Sequence, residues 1–200
     1  MEEIVLYSYR RCPYAIRVRM VLNEKNLPFK RIEEDLKSFS PELLELHPEA
    51  KVPVLVHKGL GIYESAVITE YLEEEFPNPP LMPKNVQERT QVRLWTYWSN
   101  HIAKPDIQKF KFDGRELSSI ELKKLEGRLK EHYKKIECQL QKTFWLVGNV
   151  YSLADIHVFP FFRQLSNCNP PPSFLKDFPK CNEWLERITS RSSFKKTMEK

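Results

Sequence analysis

The stretch RRCPYAIRVRMVL, residues 10–22, places one cysteine between arginines and a proline where the sequence pattern changes. It follows the apolar run Ile4-Val5-Leu6-Tyr7, which is typical of a short buried strand, and it opens an amphipathic segment that predicts a helix from Pro13 to Asn26. Proline fits the first turn of a helix because its missing N–H costs no hydrogen bond there. The stretch therefore predicts a strand, a turn at Cys12 and a helix.

The position of Cys12 at the start of this helix favours a reactive thiol. A free cysteine thiol has a pKa near ~8.5, and the unpaired amides and dipole of a helix N-terminus lower it. Arg11 and Arg17 add positive charge nearby in sequence. We therefore expect a low-pKa nucleophile at Cys12; the alternative is a small buried cysteine that packs at the turn between strand and helix.

Cys12 has no second cysteine at the spacing of a C-x-x-C pair, because the fourth residue of its motif is Ala15. A mixed disulfide at Cys12 would therefore be resolved most simply by an external thiol, and glutathione is the abundant cytosolic candidate. Cys138, Cys168 and Cys181 form no metal-ligand cluster with histidine, so no metal is expected.

The chain as a whole predicts two domains. After the first helix the pattern predicts a strand at 29–33, a short helix at 41–46, strands at 52–57 and 61–63, and a helix at 65–76. Four prolines within residues 77–83 predict a stiff linker over 78–84. Helical patterns follow at 85–104, 118–142, 153–165 and 177–189. We expect an α/β domain over 1–77 and an all-α domain over 85–200.

Composition and charge limit the classes of function. The net charge of +5 is spread along the 200 residues, which predicts a solvated surface and no direct nucleic-acid binding. No apolar run approaches the ~20 residues of a membrane span, and the acidic N-terminus enters a strand directly, so we expect neither a membrane nor a secretory signal. A cytoplasmic protein is the expectation.

The motifs together resemble a known family. The strand–CPYA–helix pattern around Cys12, the segment Lys51-Val52-Pro53-Val54-Leu55 and Glu64-Ser65 before a helix resemble the thioredoxin-like N-domain of glutathione S-transferases, in particular the cysteine-type omega and dehydroascorbate reductase-like classes. Ser152-Leu153-Ala154-Asp155 resembles the helix-capping motif of the family's helical domain, a role in folding. The resemblance implies a homodimeric enzyme that uses glutathione as a cosubstrate with a small electrophilic or disulfide substrate.

The resemblance also implies a glutathione site. A cis peptide before Pro53 would direct the backbone of Val52 to the cysteinyl part of glutathione, although X-Pro in a strand context by itself indicates only an edge, a bulge or a cis turn. Backbone amides at Glu64 and Ser65 would receive the γ-glutamyl carboxylate, and Glu64 its ammonium group; an ordinary helix N-cap is the alternative. Lys51 would reach the glycyl carboxylate or remain solvated.

Two functions fit these residues. The first is a thiol transferase or reductase in which Cys12 is the catalytic nucleophile, acting in deglutathionylation or dehydroascorbate-type reduction. The second is an interaction protein, because the segment PNPPLMP at 77–83 is similar to that of stringent starvation protein A, which binds RNA polymerase on the same fold. The Cys-Pro-Tyr motif at 12–14 departs from that second pattern and favours the enzyme.

Overall fold

The computed structural model describes residues 2–199, which fall into two compact units. The first unit contains residues 2–81 together with 191–199, and the second is Met82–Ser190. The first has a thioredoxin-like arrangement with a small mixed sheet, and the second is helical, as the sequence predicts. Within residues 2–199, no helix is both long and apolar enough to cross a membrane.

The first unit alternates strands and helices in the predicted order. Its elements are β1 (Val5–Ser8), α1 (Pro13–Glu24), β2 (Lys30–Glu33), α2 (Pro41–Leu46), β3 (Val54–His57), β4 (Leu60–Tyr63), α3 (Ser65–Glu75) and, after the second unit, α9 (Ser192–Met198). The sheet order is β2-β1-β3-β4. β1 runs parallel to β2 and antiparallel to β3, with Val5 opposite both Lys30 and Val56. The crossover through α1 explains the parallel pair.

The hairpin between β3 and β4 follows from two residues. Lys58 has φ of 54° and Gly59 has φ of 73°, and His57 pairs with Leu60 across the turn. Positive φ at both central residues is the type I′ geometry, whose twist matches that of an antiparallel pair. The turn thereby sets the register of β3 against β4, after which the chain enters α3 at Ser65.

Helix α1 forms the centre of the first unit. Every residue from Ala15 to Leu22 is buried, including two arginines, Arg17 and Arg19. The helix contacts α3 and α9. Burial of this complete segment means that its arginines need partners inside the unit, because an isolated charge in an apolar interior is strongly disfavoured.

Helix α9 belongs to the first unit, so the boundary between the units differs from the predicted one. The sequence assigned 85–200 to the helical domain, whereas residues from Arg191 onward belong to the first unit. The reason is an anchor on the end of α1: Glu24 accepts hydrogen bonds from Arg191 Nε at 2.6 Å and Nη2 at 2.8 Å, and Ser193 Oγ donates to the same carboxylate. Phe194, the next residue in α9, is buried.

The end of α3 and the proline-rich segment that follows it are held by a buried lysine. Lys25 Nζ donates to Phe76 O at 2.7 Å and to Pro79 O at 2.9 Å, and it pairs with Glu73 at 2.7 Å. Its side chain is fully buried, so these acceptors replace the water it would otherwise bind. The segment is therefore fixed to the first unit as far as Pro79.

The second unit is helical throughout its regular structure. It contains α4 (Val86–Trp98), a π-helical turn (Ser99–Ala103), α5 (Lys104–Asp113), α6 (Ser119–Leu140), α7 (Leu153–Ser166), a 3₁₀ turn (Ser173–Asp177) and α8 (Pro179–Ser190). The helical pattern predicted over 85–104 continues through the π turn into α5, which the sequence did not predict. Pro105 is tolerated because it stands in the first turn of α5.

Helix α7 is buried along its length and begins with the predicted capping box. Ser152 Oγ accepts from Ala154 N, and Asp155 accepts from Ser152 N at 3.1 Å. The same buried carboxylate accepts from Leu146 N at 3.1 Å and from Trp184 Nε1 at 2.9 Å. Asp155 thus links the start of α7 to the preceding loop and to α8.

We expect Asp155→Ala to lower the free energy of unfolding by roughly 3 kcal/mol or more, because it leaves several buried donors without an acceptor. Glu121→Ala is the matched control: Glu121 closes the exposed capping box of α6, and its loss should cost about 1 kcal/mol or less. Urea denaturation followed by circular dichroism measures both. Equal losses in the two variants would contradict the linking role of Asp155.

We expect Glu24→Ala to destabilise the first unit by about 2 kcal/mol, because it removes the charge-assisted acceptor of Arg191 and Ser193. Glu183→Ala removes a carboxylate from an exposed pair with Lys180 and should cost less than about 0.5 kcal/mol. Hydrogen exchange of the α9 amides gives a local readout. Unchanged exchange in Glu24→Ala would show that α9 does not depend on this anchor.

Candidate functional site

Cys12 lies at the N-cap of α1, where the sequence places it. Its φ of −69° and ψ of 121° are extended, its N–H donates to Tyr9 O at 3.0 Å, and its carbonyl accepts from Ile16 N at 2.9 Å. The half-buried thiol donates from Sγ to Val52 O at 3.7 Å. The turn between β1 and α1 thus aims the sulfur at the residue preceding Pro53.

The electrostatics of Cys12 differ from the sequence prediction. Burial raises the pKa of the Cys12 thiol, and this outweighs the backbone amides of Ala15 and Tyr14 and the charges of Arg17 and Arg19, all of which lower it. The predicted low pKa of Cys12 is therefore wrong. The helix N-terminus acts in the expected direction, but desolvation of a charged sulfur is the larger effect.

Arg17 connects the cysteine to the second part of the candidate site. Its side chain is completely buried, and Nη1 donates to Ser65 Oγ at 3.3 Å. The guanidinium also lies over the Tyr14 ring, 5.1 Å from its centroid. Burial lowers the pKa of Arg17 to about 9, while the neighbouring Tyr14, Cys12 and Glu64 act in the opposite direction. Arg17 therefore remains charged at neutral pH.

Arg19 is a second buried cation near Cys12. Its Nη2 donates to Arg10 O at 2.6 Å, whereas Nε and Nη1 have no hydrogen-bond partner among the described residues. Burial lowers the pKa of Arg19 to about 10. Arg11, which the sequence suggested as a nearby charge, is instead exposed, so the cations that act on the sulfur are Arg17 and Arg19.

The start of α3 combines an exposed acid with a buried hydroxyl. Glu64 stands at the N-cap with φ of 64°, and its side chain makes no capping hydrogen bond. A non-glycine residue with positive φ is uncommon and is held there only by the surrounding structure. Ser65 is buried, with its Oγ accepting from Arg17. The ordinary side-chain N-cap considered from the sequence is therefore not formed by Glu64.

Two further residues of the predicted glutathione site, Lys51 and Val52, lie in the segment between α2 and β3. The Val52–Pro53 peptide is cis, as the family resemblance implied, and Val52 is half-buried. Lys51 is exposed and its ammonium group pairs with Glu49. The structure thus brings Cys12 to Val52, and Ser65 to Arg17, by direct contact, while the Lys51 side chain contacts Glu49.

Arg17 is the residue of the candidate site whose importance the sequence pattern showed least clearly. It was considered only for its charge, whereas its contact with Ser65 joins α1 to α3. A signal was present, because Arg17 and Arg19 interrupt a segment from Ala15 to Leu22 whose other residues are apolar. Charged side chains inside a fully buried segment indicate paired or functional groups.

Both halves of the chain match families of known proteins. Residues 6–80 match the family described as "Glutathione S-transferase, N-terminal domain", and residues 97–192 match "Glutathione S-transferase, C-terminal domain". The chain belongs to the glutathione S-transferase family, whose members use glutathione as a substrate. Within residues 2–199 no group of three or more His, Cys, Asp or Glu side chains is placed to hold a metal ion.

The relatives of this chain include proteins described as glutathione S-transferases and proteins described as stringent starvation protein A homologs. A probable glutathione S-transferase from Solanum tuberosum is 34% identical over 167 residues, which is 78% of this chain and 70% of the relative. A stringent starvation protein A homolog from Haemophilus ducreyi is 30% identical over 162 residues, covering 81% and 74%. A glutathione S-transferase from Methylobacillus flagellatus, solved with glutathione bound, superposes with a TM-score of 0.84 at 26% identity, covering 98% of each chain.

We expect the rate of Cys12 alkylation by iodoacetamide to rise with pH through a midpoint above ~8.5, since burial raises the pKa of this thiol. Arg17→Gln should move the midpoint upward, because it removes a charge that stabilises the thiolate. Arg11→Gln should move it little, since that charge is exposed and screened. Mass spectrometry of the Cys12 peptide measures the rate; a wild-type midpoint below ~8.5 would contradict the raised pKa.

Proposed function

We propose that the protein is a glutathione-dependent thiol transferase or reductase in which Cys12 is the nucleophile. Deglutathionylation and dehydroascorbate-type reduction are the reactions of this class. The single observation that supports the proposal is the position of Cys12, at the N-terminus of α1 with Sγ 3.7 Å from Val52 O. A sulfur in this position can form a covalent bond with the sulfur of glutathione, which a hydroxyl group there could not do.

Glutathione would lie along the residues that surround Cys12. Its cysteinyl part would pair with the backbone of Val52 beside Pro53, and Lys51 would leave Glu49 to meet the glycyl carboxylate. The γ-glutamyl end would reach the start of α3, with its ammonium group at Glu64. Three features support this placement: the contact of Cys12 with Val52, the positive φ of Glu64, and the exposure of the Glu64 side chain.

Ser65 and Arg17 would act together on the γ-glutamyl carboxylate. A serine hydroxyl both accepts and donates, so Ser65 can accept from Arg17 Nη1 and give its own O–H to the carboxylate. The charge of Arg17 favours the anion through this hydroxyl. Arg17 is therefore a positioning residue in the proposal, and Ser65 is the group that contacts the ligand.

The proposed reaction has two thiol–disulfide exchanges. In the first, the Cys12 thiolate attacks the glutathione sulfur of a glutathionylated substrate; the new bond is Cys12–S–S–glutathione, and the substrate leaves as a thiolate that takes up a proton. In the second, the thiolate of another glutathione attacks the bound glutathione sulfur, which releases glutathione disulfide and regenerates the Cys12 thiolate. In sum, one glutathione thiol is consumed for each mixed disulfide that is reduced, and the products are the substrate thiol and glutathione disulfide.

The raised pKa of Cys12 has a consequence for this reaction. At neutral pH the thiol is mainly protonated and donates to Val52 O. A ligand amide that takes part in pairing with Val52 would compete for the same carbonyl and release the sulfur. The first exchange should therefore accelerate as pH rises from 7 toward the pKa of Cys12, because the fraction of thiolate increases.

The test is reduction of a glutathionylated peptide by glutathione in the purified protein. We expect Cys12→Ser to lower kcat/KM by at least about 100-fold, since serine cannot form the mixed disulfide. Cys138→Ser, which changes an exposed thiol, is the matched control and should retain wild-type activity. Unchanged turnover in Cys12→Ser would refute the proposed nucleophile, and activity equal to the uncatalysed rate in the wild type would refute the enzyme.

A second candidate function is an interaction protein of the stringent starvation protein A type that binds RNA polymerase. The 30% identity to the Haemophilus ducreyi homolog favours it. The discriminating measurement is capture of purified RNA polymerase by wild type and by Cys12→Ser. Equal capture by both proteins, with no thiol transfer by the wild type, would favour this function over the enzyme; absence of capture would exclude it.

We also propose a cytoplasmic homodimer. Exposed apolar side chains on β4 and α3 support it, because Leu60 is 55% and Val67 is 56% accessible and a partner would cover them. Light scattering on the purified protein tests the oligomeric state. A mass of one chain, 23.9 kDa, at all concentrations would overturn the dimer.

A further inference from the structure

Arg19 is a buried cation with an incomplete set of hydrogen-bond partners. Its side chain is 1% exposed, and Nη2 donates to Arg10 O at 2.6 Å. Nε and Nη1 are also buried, but they have no partner among the described residues. These two nitrogens carry most of the N–H donors of a guanidinium. Because a buried donor without an acceptor is costly, the unfilled groups indicate an acceptor that the described residues do not supply.

Contacts join Arg19 to two other arginines at the edge of the sheet. Arg19 donates to the Arg10 carbonyl, and the Arg10 amide donates to the Glu33 carboxylate. The same carboxylate lies 3.7 Å from Arg31 Nε. Arg31 and Glu33 belong to β2, which is an edge strand of the sheet. We call Arg10, Arg19, Arg31 and Glu33 the arginine cluster; all four residues lie in the first unit.

The charge of the arginine cluster decides which kind of acceptor fits it. Arg10 and Arg31 act on Arg19 as neighbouring cations, and Glu33 opposes them. Three guanidinium groups therefore share one carboxylate, which leaves an excess of positive charge. A buried water molecule would accept from the Arg19 N–H groups but would leave this excess unchanged. An anion with several oxygens meets both requirements, so the cluster favours an anion over water.

The end of α9 contacts the arginine cluster through neutral groups. Arg10 Nη2 donates to Met198 O at 3.2 Å, and Arg31 Nη1 donates to Glu199 O at 3.4 Å. Peptide carbonyls accept hydrogen bonds but carry no net charge, so they do not neutralise the cluster. The contacts of Arg31 with Glu199 and Glu33 are also long, and its side chain is 30% exposed. Arg31 can therefore reorient toward a ligand.

We propose that the arginine cluster binds a phosphate group, either free inorganic phosphate or the phosphate of a small monoester. Arg19 supplies its unfilled N–H groups from inside the first unit, and Arg31 pairs with the ligand from the exposed edge. Phosphate fits because it has several acceptor oxygens and carries up to two negative charges near neutral pH. The planar N–H groups of arginine match its geometry. The proposal does not depend on Cys12 as a nucleophile or on glutathione.

Isothermal titration calorimetry of the purified protein tests the site, with inorganic phosphate and glycerol 1-phosphate as the two probes. Sodium chloride holds the ionic strength constant, so that general screening does not imitate binding. We expect saturable binding at one site per chain. Tighter binding of glycerol 1-phosphate would identify a monoester as the ligand, and equal or weaker binding would identify the free ion. Absence of saturable binding by both probes would overturn the proposal.

Two exposed residues of the arginine cluster allow substitutions with opposite expected effects. Arg31→Gln should raise the dissociation constant for phosphate by about tenfold, as expected for loss of a charged hydrogen-bond partner. Glu33→Gln should lower it by about threefold, because a carboxylate that repels the ligand is removed.

Lys142→Gln is the matched control, because it removes an exposed cation from the second unit and should leave the affinity for phosphate unchanged. Circular dichroism verifies that each variant is folded. Equal affinities in Arg31→Gln and Lys142→Gln, or weaker binding in Glu33→Gln than in the wild type, would refute a phosphate site at the arginine cluster.

Discussion

The buried guanidinium of Arg17 is the interaction on which the candidate site depends. A charge at complete burial is costly, so its partners are required for folding. Arg17 donates to Ser65 at the start of α3 from a position one turn and a half into α1. The same side chain acts on the charge of Cys12 at the start of α1. One residue thereby connects the two helix N-termini at which glutathione is proposed to bind.

Burial also decides the chemistry at Cys12. The helix amides and two arginines favour a thiolate, yet desolvation is the larger effect and raises the pKa. The sulfur therefore begins as a hydrogen-bond donor to Val52. A nucleophile in this state depends on its ligand for activation, which is consistent with a site where glutathione pairs with the same backbone. The arginines then limit the increase in pKa and do not reverse it.

Much of the fold follows from local sequence patterns. The features that the sequence did not predict depend on contacts between residues far apart in the chain. Strand and helix periodicity predicted β1 to α3, and the Cys-Pro and Val-Pro motifs located the candidate site. The pattern could not reveal that Arg191 and Ser193 reach Glu24, so α9 was assigned to the wrong unit. The pKa of Cys12 was predicted in the wrong direction for a related reason: burial is a property of the packed chain, and sequence neighbours such as Arg11 are not spatial neighbours.

The most direct test of the account is the affinity for glutathione of Arg17→Gln compared with Arg11→Gln, measured by isothermal titration calorimetry, with circular dichroism to verify folding. If Arg17 aligns Ser65 for the ligand, Arg17→Gln weakens binding by about tenfold or more, a free-energy change of roughly 1.4 kcal/mol, while Arg11→Gln retains wild-type affinity. Arg17→Lys keeps the charge, so its affinity for glutathione should lie between those of Arg17→Gln and Arg11→Gln. Unchanged affinity in a folded Arg17→Gln protein would contradict the central role of this residue.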